Sequence, residues 1–388
     1  MTTGDEQKAL ERRPVFWFYG SSSIAYGIKD NAFSYLLLTF ANQALGVPGY
    51  LASLALAIAI VWDALTDPLL GHWSDKTQSK LGRRHPFMYA ALFILPASFY
   101  ALFNPLIDVR GEDAFWYVFI LAILIRTGTT LFEVPCTALL PDLEKDYDRR
   151  NRWLALRHLF GWTGGNGLHT VNVTFWVGAY GFASATGYMI YGTVGAVIIA
   201  LAIILSSLGT QRAAAQMPSP QEPFRFNAIG KEFGQIFESL KNRNFAALFF
   251  YSLLFGAAAG LSTALYLYIT RFFFEFTGAQ IGITGIAVLV APFIAWPLAP
   301  KLGLLLGKKI TAISLQLTRL VIYPVPFVCV LMGYWPALGS TASIAIYTAF
   351  IFTEVAVFIV SAVMLDSMMA DVVEDSEKRT NRRSEGLF

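Results

Sequence analysis

The sequence predicts an all-α integral membrane protein, and three observations carry that prediction. Of its 388 residues 55% are hydrophobic and 14% charged, against roughly 25% charged in a soluble domain, and the mean hydropathy is +0.53. The apolar residues gather into runs of the ~20 residues that a helix needs to cross a bilayer. Lysine and arginine are sorted into alternate loops between those runs, with 23 of the 29 on one side.

Ten spans follow, at 15–42, 48–71, 86–107, 114–140, 153–179, 184–209, 244–273, 279–305, 310–333 and 341–370. The fifth is interrupted by Gly, Asn, His and Thr. Ahead of the first, "MTTGDEQKALERRP" has no short apolar core followed by a small-residue cleavage site, so no removable signal peptide is expected. The basic residues precede span 1, follow spans 2, 4, 6, 8 and 10, and leave only Arg110 and Arg271 on the other side. By the positive-inside rule the N-terminus and the central linker are cytoplasmic.

Six spans come before the single long polar segment, 210–243, in which Phe226, Ile229, Phe233, Ile236 and Leu240 recur at spacings of three and four. That stripe fits an amphipathic helix on the inner membrane surface. The expected organisation is a six-helix bundle over 1–209, a cytoplasmic linker over 210–243 and a four-helix bundle over 244–388.

The two bundles carry an internal repeat. "SKLGRRHP" after span 2 parallels "LLLGKKIT" after span 8, with Gly82 and Gly307 separated by 225 positions. "LLPDLEKDYDRRNRW" after span 4 parallels "MMADVVEDSEKRTNRRSE" after span 10, with Asp142 and Asp371 separated by 229. A duplicated six-helix unit is expected, and its spans 11 and 12 are then missing from this sequence.

Several function classes drop out. A net charge of +3 spread over many loops gives no footprint for nucleic acid. Cys136 and Cys329 stand alone in apolar stretches, without disulfide or zinc spacing. No GxSxG, HExxH or Walker loop is present, and the four histidines form no ligand-spaced cluster, so no enzyme and no cofactor are expected.

Charge inside a membrane helix costs at least about 2.5 kcal/mol, which makes each intramembrane ionisable residue a functional candidate. Lys29 and Asp30 lie in span 1, Asp63 and Asp67 in span 2, Arg126 and Glu133 in span 4, Arg157 in span 5, Arg319 in span 9, Glu354 and Asp366 in span 10. Asp63 and Asp67 share a helix face, with Thr66 beside them and Pro68 releasing a backbone carbonyl. Glu133 follows Thr130 by one turn and precedes Pro135. Three carboxylates, two hydroxyls and loosened backbone suit a hard monovalent cation such as sodium, and like-charge repulsion lets a proton take its place. Lys29 and Asp30 point about 100° apart and need separate partners. Arg157 is within reach of Asp30 or of a ligand hydroxyl, and Tyr26, Phe33, Trp162 and Trp176 offer aromatic faces for a sugar ring. Arg126, Arg319, Glu354 and Asp366 have no defining neighbour in the sequence.

"DALTDPLLGHWSDKTQSKLGRRHP", then "EVPCTALLPDLEKDYDRRNRWLALR", then the closing "MADVVEDSEKRTNRRSEGLF" resemble the glycoside–pentoside–hexuronide:cation symporters of the major facilitator superfamily, melibiose-carrier-like proteins. The resemblance implies a two-bundle transporter working by alternating access, which couples a sugar or glycoside to sodium or a proton. It implies cation ligands at Asp63, Thr66, Asp67, Thr130 and Glu133, and substrate contacts at Lys29, Asp30 and Arg157. It also implies a gating loop that takes in Gly71, Asp75, Gly82, Arg83 and Arg84. The aromatic platform of the best-known member corresponds here to Thr137, so the stacking platform is elsewhere or absent, with Tyr26 and Trp162 the candidates. Eukaryotic relatives carry lysophospholipids, which keeps an amphiphilic substrate as the alternative, beside a truncated protein that does not transport. A monomer in the bacterial inner membrane is expected.

Overall fold

The computed structural model describes residues 3–105, 107–144, 147–215 and 243–380, and their side chains except at 3–13, 147–149, 151, 244–245, 366 and 369–380. Among the described residues every regular element is helical. The linker stripe from Phe226 to Leu240 and the side chains of Asp366, Asp371 and Arg379 lie outside them.

The chain divides into two compact units, Met1–Arg225 and Phe226–Phe388. In the first, α1 (Thr3–Asn31) continues through π-helical turns at Ala32–Leu36 and Phe40–Ala44. There follow α2 (Gly49–Lys76), α3 (His85–Phe103), α4 (Ala114–Ala138), α5 (Tyr147–Val171) and α6 (Ala185–Ala215). A third π-helical turn, Asn172–Trp176, extends α5. Helix α1 packs on α5 and α6, α3 on α4 and α6, and α2 on α4. The α1–α5 seam is made by small residues, as expected where lipid gives helices no hydrophobic reason to associate and close backbone approach must do it. A Cβ on Gly27 would lie 2.0 Å from the Gly161 carbonyl oxygen. Around this seam Tyr19, Leu36, Phe40, Phe99, Phe103 and Tyr191 are fully buried.

The second unit holds α7 (Arg243–Tyr268) with a π-helical turn at Ile269–Phe273, α8 (Gly278–Leu306), α9 (Lys308–Ile322), α10 (Val325–Leu331) and α11 (Thr341–Thr380). Here α8 and α9 pack on α11. Phe274, Phe276 and Tyr347 form the aromatic centre, the rings of Phe274 and Tyr347 lying 4.5 Å apart.

The repeat seen in the loops extends to single backbone hydrogen bonds. Leu45 N–H donates to Phe40 O and Val47 N–H to Ala41 O; 229 positions on, Phe274 N–H donates to Ile269 O and Phe276 N–H to Thr270 O. The turn between each pair holds a residue at positive φ, Gly46 at 73° and Glu275 at 57°. Gly111 N–H closes the first turn on Leu45 O at 2.8 Å, and Gly339 N–H closes the second on Phe274 O at 3.2 Å. Gly82 and Gly307 match as well, at φ 91° and 81°.

Among the described residues eight helices are long and apolar enough to cross a membrane: Gly49–Lys76, His85–Phe103, Gly111–Leu143, Ala185–Ala215, Ala246–Phe273, Gly278–Leu306, Lys308–Leu331 and Thr341–Leu365. The ten predicted spans therefore reduce to eight by that measure. The first and fifth are helical but too polar, since α1 carries Lys29, Asp30 and Asn31 and α5 carries Arg152, Arg157, Asn166 and His169.

Candidate functional site

Three helices of the first unit converge their charges into two arginine–carboxylate pairs. Asp63 on α2 accepts from Arg126 Nη1 on α4 at 2.6 Å, and the Arg126 guanidinium lies over the Phe33 ring at 4.7 Å. Glu133 on α4 accepts from Arg157 Nη2 on α5. Arg157 spends its remaining donors inside the protein: Nε on Ser23 Oγ at 2.9 Å, and Nη1 on Tyr19 O–H and Thr137 Oγ1, each at 3.0 Å. Thr137 in turn donates to Glu133 Oε1 at 3.4 Å. Burial makes such pairs strong in coupling, because removing one partner strands the other's charge in a low dielectric.

The sequence-predicted residues are thus only partly brought together. Asp63, Asp67 and Glu133 do not close into one cage; among the described residues no three His, Cys, Asp or Glu side chains lie close enough to hold a metal ion. The reason is that Asp63 and Glu133 each turn to an arginine. Asp67 faces Thr130 and makes no ion pair among the described residues, although Lys29 and Arg126 lie near enough to act on it. The hydroxyls of Thr66 and Thr130 donate to backbone carbonyls, of Trp62 at 2.9 Å and of Arg126 at 3.1 Å. Their lone pairs remain available.

On α1 the Lys29 ammonium is buried and lies 4.0 Å from Asp30 Oδ1 and 4.6 Å over the Tyr26 ring. The flexible four-carbon stem of lysine reaches back across the 100° that separates the two residues, so they share one contact instead of needing separate partners. Asp30 stays 46% exposed. Arg157 pairs with Glu133 instead of Asp30. Phe33 is taken up by Arg126, while Trp162 accepts at its backbone carbonyl from Asn166 Nδ2 at 3.1 Å.

At the other end of α2 the gating residues form a closed network. Asp75 accepts from Arg84 Nε and Nη2 at 3.2 and 2.8 Å. Asp142 Oδ2 accepts from Arg84 Nη1 at 2.5 Å and from Arg83 Nη2 at 2.6 Å. Arg84 also donates to the Ala138 carbonyl at the end of α4, where a cation complements the helix dipole. Gly82 supplies the left-handed turn that brings both arginines round, and Gly71 lies on the side of α2 that faces Val134, where a Cβ would meet ordinary contact at 3.4 Å.

Sequence reading missed Arg126, Tyr19, Ser23 and Asp142 as partners. It also missed a buried polar seam between α1 and α5. Asn31 Oδ1, Thr39 Oγ1, Asn172 and both ring nitrogens of His169 have no hydrogen-bond partner there, although His169 lies against the Tyr35 ring. In the second unit, Arg319 pairs with Glu354 and lies over Phe255 and Phe358, which supplies the neighbours the sequence lacked.

A chain whose described residues are helical, with eight helices among them long and apolar enough to cross a membrane, a duplicated backbone and ion pairs held between helices, is an integral, multi-pass membrane protein of the major facilitator kind. It belongs to the family described as MFS/sugar transport protein, which it matches over residues 18–388. A peptide transporter solved with sulfate shares the fold at a TM-score of 0.53 and 13% identity, over 92% of this chain and 86% of that one. Among curated relatives, an uncharacterized symporter of Synechocystis sp. is 32% identical over 149 residues, 37% of this chain and 27% of its own length. The sodium-dependent lysophosphatidylcholine symporter 1 of Gallus gallus is 24% identical over 95% of this chain and 73% of its own. The sucrose transport protein SUT2 of Oryza sativa is 29% identical over 40% of this chain and 36% of its own. The chain thus spans between about a quarter and three quarters of these relatives' lengths.

Proposed function

We propose that this protein is a cation-coupled secondary active symporter that carries a sugar or glycoside by alternating access. The carrying observation is the direct hydrogen bond between Glu133, predicted to bind the coupling ion, and Arg157, predicted to bind substrate. An ion or proton that takes over Glu133 weakens its hold on Arg157, whose donors then become available to substrate hydroxyls. Linkage requires the reverse as well: substrate on Arg157 raises the affinity for the ion by the same factor. Lys29, Asp30, Tyr26 and Trp162 supply the other substrate contacts, and the coupling charge resides among Asp63, Thr66, Asp67, Thr130 and Glu133. The Arg84–Asp75–Asp142 network is the latch that opens as the helix bundles rock.

The finer topology follows the same reading. All ten helical segments cross the membrane, with α1 and α5 shielded from lipid by their neighbours. The N-terminus is cytoplasmic, the protein lies as a monomer in a bacterial inner membrane, and it needs no cofactor and performs no catalysis. A lysophospholipid is the second candidate substrate, favoured by the length of the match to the Gallus gallus symporter.

The test is uptake into proteoliposomes of radiolabelled glycosides and of lysophosphatidylcholine under imposed sodium and pH gradients. Accumulation of a glycoside above equilibrium supports the proposal. Accumulation of lysophosphatidylcholine alone replaces the substrate, and no accumulation of either under any gradient contradicts it.

A further inference from the structure

The Asp63–Arg126 pair bears on which ion drives the cycle. Arg126 is two turns before Glu133 on α4, and its side chain and that of Asp63 are only 14% and 19% exposed. A guanidinium keeps its charge at any pH a protein meets. Its hold on Asp63 is a single strand: Nη1 donates to Oδ2, while Asp63 Oδ1 and Arg126 Nε are both buried without a partner. One phenyl face, that of Phe33, covers the cation. A permanent positive charge is therefore already bound to the carboxylate that begins the predicted ion site.

Within the predicted spans of α1, α2, α4 and α5 the charged side chains are four carboxylates, Asp30, Asp63, Asp67 and Glu133, and three cations, Lys29, Arg126 and Arg157. Lys29 lies with Asp30, Arg126 with Asp63 and Arg157 with Glu133. Asp67 is left without an ion-pair partner among the described residues. The groups facing it are Asp63 on its own helix, Thr130 and Arg126 on α4, and Lys29 on α1. A metal ion needs several oxygens at once, and to reach Asp63 it must approach the guanidinium, a like charge.

We infer that Arg126 sets the ion selectivity of this protein: it stands on Asp63 as a built-in counter-ion, so sodium or lithium binds only once the Arg126 charge is removed. This rests on the symport reading for the assignment of the ion site and not for the ion selectivity itself.

The experiment is thermal unfolding and ion titration of the full chain in detergent, without substrate, in sodium, lithium and potassium chloride at fixed ionic strength and pH. The wild type is compared with Arg126→Gln, Arg126→Lys and the double variant Asp63→Asn/Arg126→Gln. Arg126→Met, which keeps the apolar stem against Phe33, guards against a glutamine variant that fails to fold. The wild type and Arg126→Lys should unfold at one temperature in all three salts. Arg126→Gln or Arg126→Met should gain a sodium- or lithium-selective rise and bind that ion at least about tenfold more tightly, as removal of one unit charge a few ångströms away requires. The double variant should lose the gain. A sodium-selective rise in the wild type overturns the inference, as does a folded Arg126→Gln or Arg126→Met that is indifferent to all three ions. Since no substrate is present, failure of the symport reading appears only in flux and failure of this inference only in the ion titration.

Discussion

The two units share a backbone and differ in chemistry. Displaced by 229 positions, the turn Phe40–Val47 and the turn Ile269–Phe276 make the same hydrogen bonds, yet Lys29, Asp30, Asp63 and Asp67 of the first unit have apolar counterparts in the second. Lys29 and Asp30 map to Ala258 and Ala259, Asp63 to Pro292 and Asp67 to Trp296, while Pro68 and Pro297 coincide. In the register of Gly111 and Gly339, Arg126 maps to Glu354, and Glu133 to Ser361. Duplication thus fixed the frame that bends the helices, and most of the intramembrane ionisable groups belong to one copy of it, Arg319 and Glu354 being the described pair of the other. The π-helical turn Ala32–Leu36 sharpens the contrast. It adjoins Lys29 and Asp30, as π-bulges often do at functional sites, and the matching stretch of α7 is regular α-helix.

The largest expected effect separates the two units by their arginines. Arg157→Ala strands the mostly buried Glu133 and removes donors from Tyr19, Ser23 and Thr137. It should lower stability by about 3–5 kcal/mol and abolish substrate flux, measured by chemical unfolding in detergent and by proteoliposome uptake. Arg319→Ala, which breaks the pair with Glu354, should destabilise as well but leave the protein's equal behaviour in the three salts unchanged. A sodium- or lithium-selective rise in Arg319→Ala would break the comparison.

Next comes the glycine pair Gly27 and Gly256, again 229 apart. A Cβ on Gly27 would meet the Gly161 carbonyl at 2.0 Å, and one on Gly256 would meet nothing within 4 Å. Gly27→Ala should therefore cost about 1–3 kcal/mol by forcing α1 from α5. Gly256→Ala should stabilise by about 0.5–1 kcal/mol through helix propensity. Thermal unfolding of the two variants side by side checks the sign of each.

The smallest effect lies in the shared turn. Glu275 holds φ at 57° where its counterpart is Gly46, and a side chain in that region carries roughly 1–2 kcal/mol of strain. Glu275→Gly should raise stability by up to about 1 kcal/mol and Gly46→Ala should lower it by a similar amount, read from denaturant midpoints.

Much of this was legible in the sequence, for a physical reason. Asp63, Asp67, Glu133 and Arg157 stand out because charge in an apolar run is costly, and the repeat showed at Gly82 and Gly307 because a left-handed turn after a helix favours glycine. The partners were not legible. Arg126 meets Asp63 across 63 positions and Arg157 meets Glu133 across 24, contacts set by how α2, α4 and α5 pack and invisible to periodicity within one helix. The same holds for Asp142, which sequence pattern placed in a loop motif and packing placed under Arg83 and Arg84. Lys29 and Asp30 misled in the other direction, since helix geometry fixes where side chains start and not where a lysine stem ends. The polar seam of His169 and Asn172 disrupted the apolar pattern of the fifth span without revealing which helix it faced.

The central claim is that Glu133 joins ion binding to substrate binding through Arg157. The most direct test is Glu133→Gln in proteoliposomes, comparing gradient-driven accumulation of the transported substrate with its exchange at equilibrium. Accumulation should fall by at least about tenfold, the size of a typical coupling energy between sites, while equilibrium exchange persists. Accumulation at the wild-type level in Glu133→Gln would contradict the account.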